Sequence, residues 1–122
     1  MKFQELQAYK ISFELAMGIF RLSKTFPKEE TYSLTDQIRR SSRSVSTNIA
    51  EAYRKRRYEK NFLSKLSDSD AENAETQTWL RFSFYCGYID EETFNIHLRK
   101  SEEVGNLIGY MLRHPWKFME GH

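Results

Sequence analysis

Five glycines and two prolines are all the backbone punctuation available across 122 residues, and this scarcity removes most folds before any motif is considered. An all-β chain needs a turn about every ten residues, and turns consume Gly and Pro. Long helices joined by few connections remain. Apolar residues make up 39% of the chain and charged residues 30%, enough for one core and a solvated exterior. No composition break marks a second domain. A single domain is therefore expected over residues 1–119, with Glu120, Gly121 and His122 read as the remnant of an expression tag. Cys86 is the only cysteine, so no internal disulfide can form, which suits a reducing compartment. No apolar run approaches the roughly 18 residues of a membrane span, and the opening MKFQELQAYK lacks the apolar centre of a signal peptide. A cytoplasmic protein is the expectation.

Four segments carry helical periodicity. The first helix is predicted from about Phe3 to Lys24, ending before Phe26-Pro27. It shows two apolar stripes at about 100° per residue: Leu6, Tyr9, Phe13, Met17 and Phe20 on one face, and Ala8, Leu15, Ile19 and Leu22 on another. One core accounts for only one stripe. Either the helix is deeply embedded, or the second stripe, with Leu15, Ile19 and Leu22, packs against another subunit. The second helix is predicted from Leu34 through Tyr53, capped by Ser33 or Thr35, with Leu34, Ile38, Val45, Ile49 and Ala52 toward the core and Ser41 and Ser42 in the gap. The third, Glu59 to Cys86, interrupts its apolar face with Ser69, Asp70, Asn73 and Gln77. This polar plug is expected to hydrogen-bond across the bundle, with Ser41 and Ser42 as candidate partners, and to fix helix register rather than to hold a ligand.

Gly87 should end the third helix and Asp90 should cap the fourth, whose seam is read as Phe94, Leu98, Ser101, Gly105, Ile108 and Leu112, with Pro115 as its stop. Short connections between four such segments predict an all-α, antiparallel up-and-down four-helix bundle.

No catalytic set emerges. Apart from the terminal His122, the histidines are His97, on the flank of the fourth helix, and His114, before Pro115, and neither has a nucleophile to serve. Bundles that hold two metals use Glu-x-x-His pairs, and this chain has none. Of Asp68, Asp70, Glu72 and Glu75, the spacing turns only Asp70 toward the core. No Gly-rich phosphate loop or zinc spacing is present. The reading is a non-enzymatic protein with no metal and no cofactor.

Charge placement is more informative than the formal net charge of +2. If the second helix continues through Arg57, then Arg39, Arg43, Arg54 and Arg57 form a stripe about 27 Å long opposite the core face, with Arg40, Lys55 and Arg56 beside it. Arginine forks suit phosphate and carboxylate alike. Three readings compete. The stripe is a solvated face, or a nucleic-acid surface, or one half of an interface whose other half is the outer face of the third helix. That outer face runs Asp68, Glu72 and Glu75 and then Trp79, Phe82 and Cys86. The acidic residues there could meet the arginines of the next subunit in a head-to-tail ring, with Trp79, Phe82 and the spare stripe of the first helix supplying buried apolar area.

Particular blocks also carry a resemblance: Phe26-Pro27-Lys28-Glu29-Glu30, Tyr32 through Arg40 (YSLTDQIRR), Asn48-Ile49-Ala50-Glu51, Glu75-Thr76-Gln77 and Gly87-Tyr88-Ile89. In this order they resemble the four-helix-bundle proteins encoded in 23S rRNA intervening sequences, whose relatives include the accessory variability determinant of diversity-generating retroelements. The resemblance implies a homopentameric ring without catalysis. In the retroelement branch it also implies a basic surface that binds nucleic acid and a reverse transcriptase. A protein-binding adaptor for such a reverse transcriptase or for a ribosomal component is therefore the alternative to RNA or DNA binding, and no small-molecule substrate is implied. Arg39, Arg40, Asn48 and Glu51 hold the most recognisable positions. The chain departs from the family pattern where Val45-Ser46-Thr47 precedes the Asn-Ile-Ala-Glu block, where Ala52 follows it, and at Asn73-Ala74. Loss of the usual Pro and Gly there predicts a longer second helix.

Overall fold

The computed structural model describes residues 1–119, so the three residues read as a tag remnant lie outside the described residues. Four helices, α1 (Gln7–Ser23), α2 (Leu34–Arg54), α3 (Glu59–Tyr85) and α4 (Glu91–Arg113), are supplemented by 3-10 turns at Phe3–Glu5, Lys28–Glu30 and Pro115–Lys117. Helices pack in the cyclic order α1, α2, α3, α4, with α4 returning against α1. This is the up-and-down antiparallel bundle that short connections dictate. Among the described residues there is no strand.

The helix ends follow local chemistry. Leu6 is extended (φ −67°, ψ 131°) and buried, so the chain begins as a separate turn and α1 starts only at Gln7 rather than near Phe3. Ser33 precedes α2 without capping it through its own side chain. Its hydroxyl donates instead to the Glu30 carboxylate at 2.6 Å, and that carboxylate accepts the Leu34 N–H at 3.4 Å and the Tyr88 hydroxyl at 2.8 Å. These bonds to Ser33, Tyr88 and Leu34 hold Glu30 below the usual carboxylate range, while the Tyr88 phenol is pushed up to about 12 by donating to Glu30. One carboxylate thereby ties the α1–α2 connection to the α3–α4 connection. Gly87 ends α3 with φ 79°, the left-handed conformation that a Cβ disfavours. Asp90 accepts the Thr93 N–H at 2.8 Å and caps α4, and Pro115 opens the final turn.

The core is divided in two. One apolar cluster joins Leu6, Ala8, Val45, Ile49, Phe62, Leu66, Val104 and Ile108, and the other joins Leu15, Ile19, Phe26, Leu34, Ile38, Leu80 and Phe94. Between them all four helices contribute small polar side chains that are almost fully buried: Ser12, Ser41, Ser42, Ser69, Asn73, Thr76 and Ser101. Ser69 donates to the Val45 carbonyl at 2.7 Å, Thr76 to the Ser41 hydroxyl at 2.9 Å, and Gln77 to the Ser101 hydroxyl at 3.0 Å. Asn73 and Ser101 exchange two bonds, amide to carbonyl at 2.9 Å and hydroxyl to amide oxygen at 2.8 Å. Such a waist is tolerable in a core only because its groups find partners. It includes Thr76, which the spacing argument passed over. It excludes Asp70, which is exposed rather than turned toward the core as expected.

Two further expectations are corrected. Leu15 and Ile19, read as a surface for another subunit, are 1% and 0% exposed, because the stripe they share with Ala8 is the one that faces the bundle axis. Leu22 is half-buried against the same cluster. The outward stripe is the other one, with Phe13 49% and Met17 39% exposed. On α4, Phe94, Ser101 and Ile108 of the expected seam are buried, but Val104 and Met111 take the places read as Gly105 and Leu112.

Candidate nucleic-acid and assembly surfaces

On α2 the core-facing rows leave Asp36, Arg40, Arg43, Thr47, Glu51 and Arg54 on the exposed face. Arg39 stands at its edge toward α1. Its Nε donates to the Ser23 hydroxyl at 2.8 Å, and its guanidinium lies 4.9 Å from the centre of the Phe20 ring. Arg43 and Lys24 approach the same ring at 5.6 and 4.7 Å. Each such cation–π contact contributes about 0.5–1 kcal/mol at an exposed site, so Phe20 holds this end of the arginine row in place. Arg39, Arg40 and Arg43 edge an open concavity of about 760 Å³, together with Thr31, Tyr32, Ser44, Thr47, Asn48 and Glu51. Tyr32, 94% exposed, stands at its mouth.

The continuous stripe to Arg57 does not form. The helix ends at Arg54, with Lys55 at φ −98°, ψ 12°, three residues short of Arg57. Lys55, Arg56 and Arg57 form a turn that leads into α3. There Arg56 lies 4.0 Å over the Tyr53 ring and donates to the Tyr53 carbonyl at 2.8 Å. The cations are thus split into a row on the flank of α2 and a cluster at the end of the bundle.

Along α3, Asp68, Glu75 and Phe82 are exposed, as is Cys86 just beyond its end, whereas Glu72 and Trp79 are half-buried. Burial, and then repulsion from Glu75, raise the Glu72 pKa, against the pull of Arg40. Part of the acidic row therefore already feels an arginine of its own subunit. Glu51, one of the positions the family resemblance singles out, pairs with Lys65 at 3.0 Å. Trp79 and Phe82 meet with their rings tilted at 35° and their centres 5.8 Å apart, and they border a groove of about 410 Å³ with Leu34, Gln37 and Cys86. The Trp79 indole N–H is buried without an acceptor among the described residues.

On α1, Tyr9 and Phe13 stack at 5.9 Å, and with Met17 they line a third groove against Ser46, Thr47 and Ala50 of α2, bounded by Arg43. Period-four spacing displayed this aromatic row in the sequence, but the choice of which stripe was the core missed it. The histidines make local contacts: His97 Nδ1 lies 2.8 Å from the Thr93 carbonyl and His114 Nδ1 3.0 Å from that of Tyr110. Among the described residues no three His, Cys, Asp or Glu side chains gather closely enough to hold a metal, and no helix is long and apolar enough to cross a membrane.

These features define a small antiparallel helical bundle that carries separate basic, acidic-aromatic and apolar surfaces around its flanks. The chain belongs to the 23S rRNA-intervening sequence protein family, whose family model matches residues 4–110. Among solved structures it is similar to a protein of unknown function from the S23 ribosomal protein family of Bacteroides thetaiotaomicron. That likeness has 28% sequence identity and a TM-score of 0.79, and covers 87% of this chain and 95% of that one. None of the curated proteins compared gives a significant match.

Proposed function

We propose that this chain is the subunit of a non-catalytic cytoplasmic homo-oligomer, pentameric by its family resemblance, whose basic surface engages RNA or another nucleic acid. The observation that carries the nucleic-acid half is the cluster of Arg39, Arg40 and Arg43 around an open concavity that hydroxyl and amide side chains edge together with Asp36 and Glu51. Arginine forks and neutral donors are the groups that contact phosphate and sugar. The assembly half is supported by two exposed apolar surfaces on opposite sides of α2: Phe13 and Met17 of α1, and Phe82 of α3. They cannot pair within one subunit. A head-to-tail contact that seats the Trp79–Phe82 pair of one copy against the Tyr9–Phe13–Met17 groove of the next would bury both.

Titration with structured RNA should give binding that weakens at least tenfold between about 50 and 200 mM salt, because phosphate contacts release counterions. Absence of binding at the lower salt would reject the nucleic-acid half. Light scattering at micromolar concentration is expected to show an oligomer that Phe82→Asp or Glu75→Arg weakens, and a monomer would end the assembly half.

A second reading is favoured by the orphaned indole N–H of Trp79 beside an apolar groove. There the subunit serves as an adaptor, offering this groove to a protein partner such as a reverse transcriptase or a ribosomal component. Titration of such a purified partner, with Phe82→Asp as control, separates it from the first.

A further inference from the structure

The net charge of +2 conceals a strong polarity. Antiparallel packing places the chain start, the α2–α3 connection and the end of α4 at one pole of the bundle, and the other two connections at the opposite pole. Including the adjoining helix turns, the first pole (residues 1–10, 51–62 and 110–119) holds nine Lys and Arg against three Asp and Glu. The opposite pole (residues 20–37 and 82–94) holds three against six. Segments far apart in sequence create this. Lys2 and Gln4 share a surface concavity with Arg54 and Arg56, the Tyr53 hydroxyl donates to the Met1 carbonyl at 3.1 Å, and Phe118 packs on the same apolar cluster as Phe3.

Exposed rings stand among these cations. Tyr58, in the α2–α3 connection, is 58% exposed, and Trp116, just beyond α4, is 51% exposed. Trp116 meets His114 edge-on at 5.2 Å, and His114 stacks on Tyr110 at 4.3 Å. Lys117 donates to the Tyr110 hydroxyl at 2.6 Å and lies 5.2 Å from its ring centre, as Arg56 lies over Tyr53 on the other side of the pole. Cations already fixed on aromatic rings lose little freedom on meeting a ligand.

We infer that this basic, aromatic pole, rather than the arginine row on the flank of α2, is the principal nucleic-acid site, and that it takes unpaired strands of RNA or DNA. The inference keeps the nucleic-acid reading proposed above, moves its principal contact from the α2 flank to this pole, and narrows its substrate. Phosphates are drawn by the excess of Lys and Arg, and unpaired bases have free faces to stack on Tyr58 and Trp116, which the paired bases of a duplex do not offer. The flank row is less suited. Asp36 and Glu51 interrupt its face, and Glu72 lies near Arg40.

The test uses fluorescence anisotropy with labelled oligouridylate, oligothymidylate and a duplex, each of about 12 nucleotides, at about 50 mM salt. The protein is compared with a pole variant (Lys55→Glu, Lys60→Glu and Lys117→Glu), a flank variant (Arg40→Glu and Arg43→Glu) and a ring variant (Tyr58→Ala and Trp116→Ala), after thermal melts confirm that all fold. The pole variant should lose about a hundredfold in affinity for every probe, and the flank variant less than about threefold. The ring variant should lose about tenfold or more for the single strands only. Binding that survives the pole variant but falls in the flank variant overturns the inference and leaves the broader reading standing. Duplex binding as tight as single-strand binding, with an unaffected ring variant, overturns the assignment to unpaired strands. Tighter binding to anionic phosphatidylserine vesicles than to any oligonucleotide overturns it in favour of a membrane surface. If no probe binds at all, the inference and the broader reading fall together.

Discussion

Ile19→Ala is expected to destabilise the subunit by about 3 kcal/mol, because removing a fully buried branched side chain forfeits its transfer energy and leaves a cavity that rigid neighbours fill only in part. Ile19 is 0% exposed in the cluster with Leu15, Phe26, Leu34, Ile38, Leu80 and Phe94, where contributions from all four helices and from the α1–α2 connection meet. Urea unfolding should show a lower midpoint at an unchanged slope, and the shift should persist at protein concentrations too low for assembly. Met17→Ser, only two residues away but 39% exposed, should leave the dilute midpoint within about 0.5 kcal/mol and act on the oligomer instead. The reverse ranking would mean that α1 turns its other stripe inward.

That pair of residues shows where the sequence was legible and where it was not. Helix number, direction and most boundaries follow from strong local signals: Phe26-Pro27 after the first helix, Gly87 and Asp90 around the third connection, and Pro115 after the fourth. Each acts within its own stretch of chain, so no tertiary information is required. Choosing between the two stripes of α1 needs tertiary information, because Phe13 and Met17 are as apolar as Leu15 and Ile19. The packing settles it: Ala8, Ser12 and Ala16 of α1 share the inward face, where close approach to α2 and α4 leaves little room for rings. The polar plug was visible as an interruption of the third helix. Its breadth was not, since a serine on each of the other helices is unremarkable until Ser12, Ser41 and Ser101 come level with Ser69.

The candidate site was legible to a similar degree. Arg39 through Arg57 announced itself as a run of charge, but the run was read as one stripe, and a helix end at Arg54 divides it. No local rule marks that end strongly, since Arg54 through Tyr58 contains neither Gly nor Pro. The turn is set by the need to return Phe62 and Leu66 to the same core as Val45 and Ile49. The contributions of Lys2, Arg113 and Lys117 to the basic pole were invisible for a simpler reason: each is an isolated cation in its own segment, and only the antiparallel topology adds them together.

The largest electrostatic effect is expected at the waist. In Asn73→Asp the carboxylate would replace an amide that donates to the Ser101 carbonyl at 2.9 Å and accepts from the Ser101 hydroxyl at 2.8 Å, at a position 2% exposed. The hydroxyl contact survives the change, but the other oxygen then faces a carbonyl oxygen without a proton between them. An ionised group there is buried with no cation opposite, a loss of about 4 kcal/mol at neutral pH. Protonation restores a donor toward the Ser101 carbonyl, so the folded state raises the new carboxyl's pKa above its unfolded value of about 3.9. The sign follows from linkage. Below pH about 4 both states carry the proton and the variant should lie within about 1–2 kcal/mol of the parent. As pH rises toward about 7 the unfolded chain ionises first, and the stability difference between variant and parent widens steadily. Asn73→Ala provides the contrast, since it costs about 2 kcal/mol by orphaning the Ser101 partners and has no proton to exchange, so its deficit should stay constant with pH. Urea midpoints for the three proteins at pH about 4 and about 7 decide the matter. A widening gap for aspartate alone identifies the waist as a dry hydrogen-bonded layer that sets the register of the four helices. Equal gaps at the two pH values would mean that water reaches Asn73 and that register is set by the two apolar clusters alone.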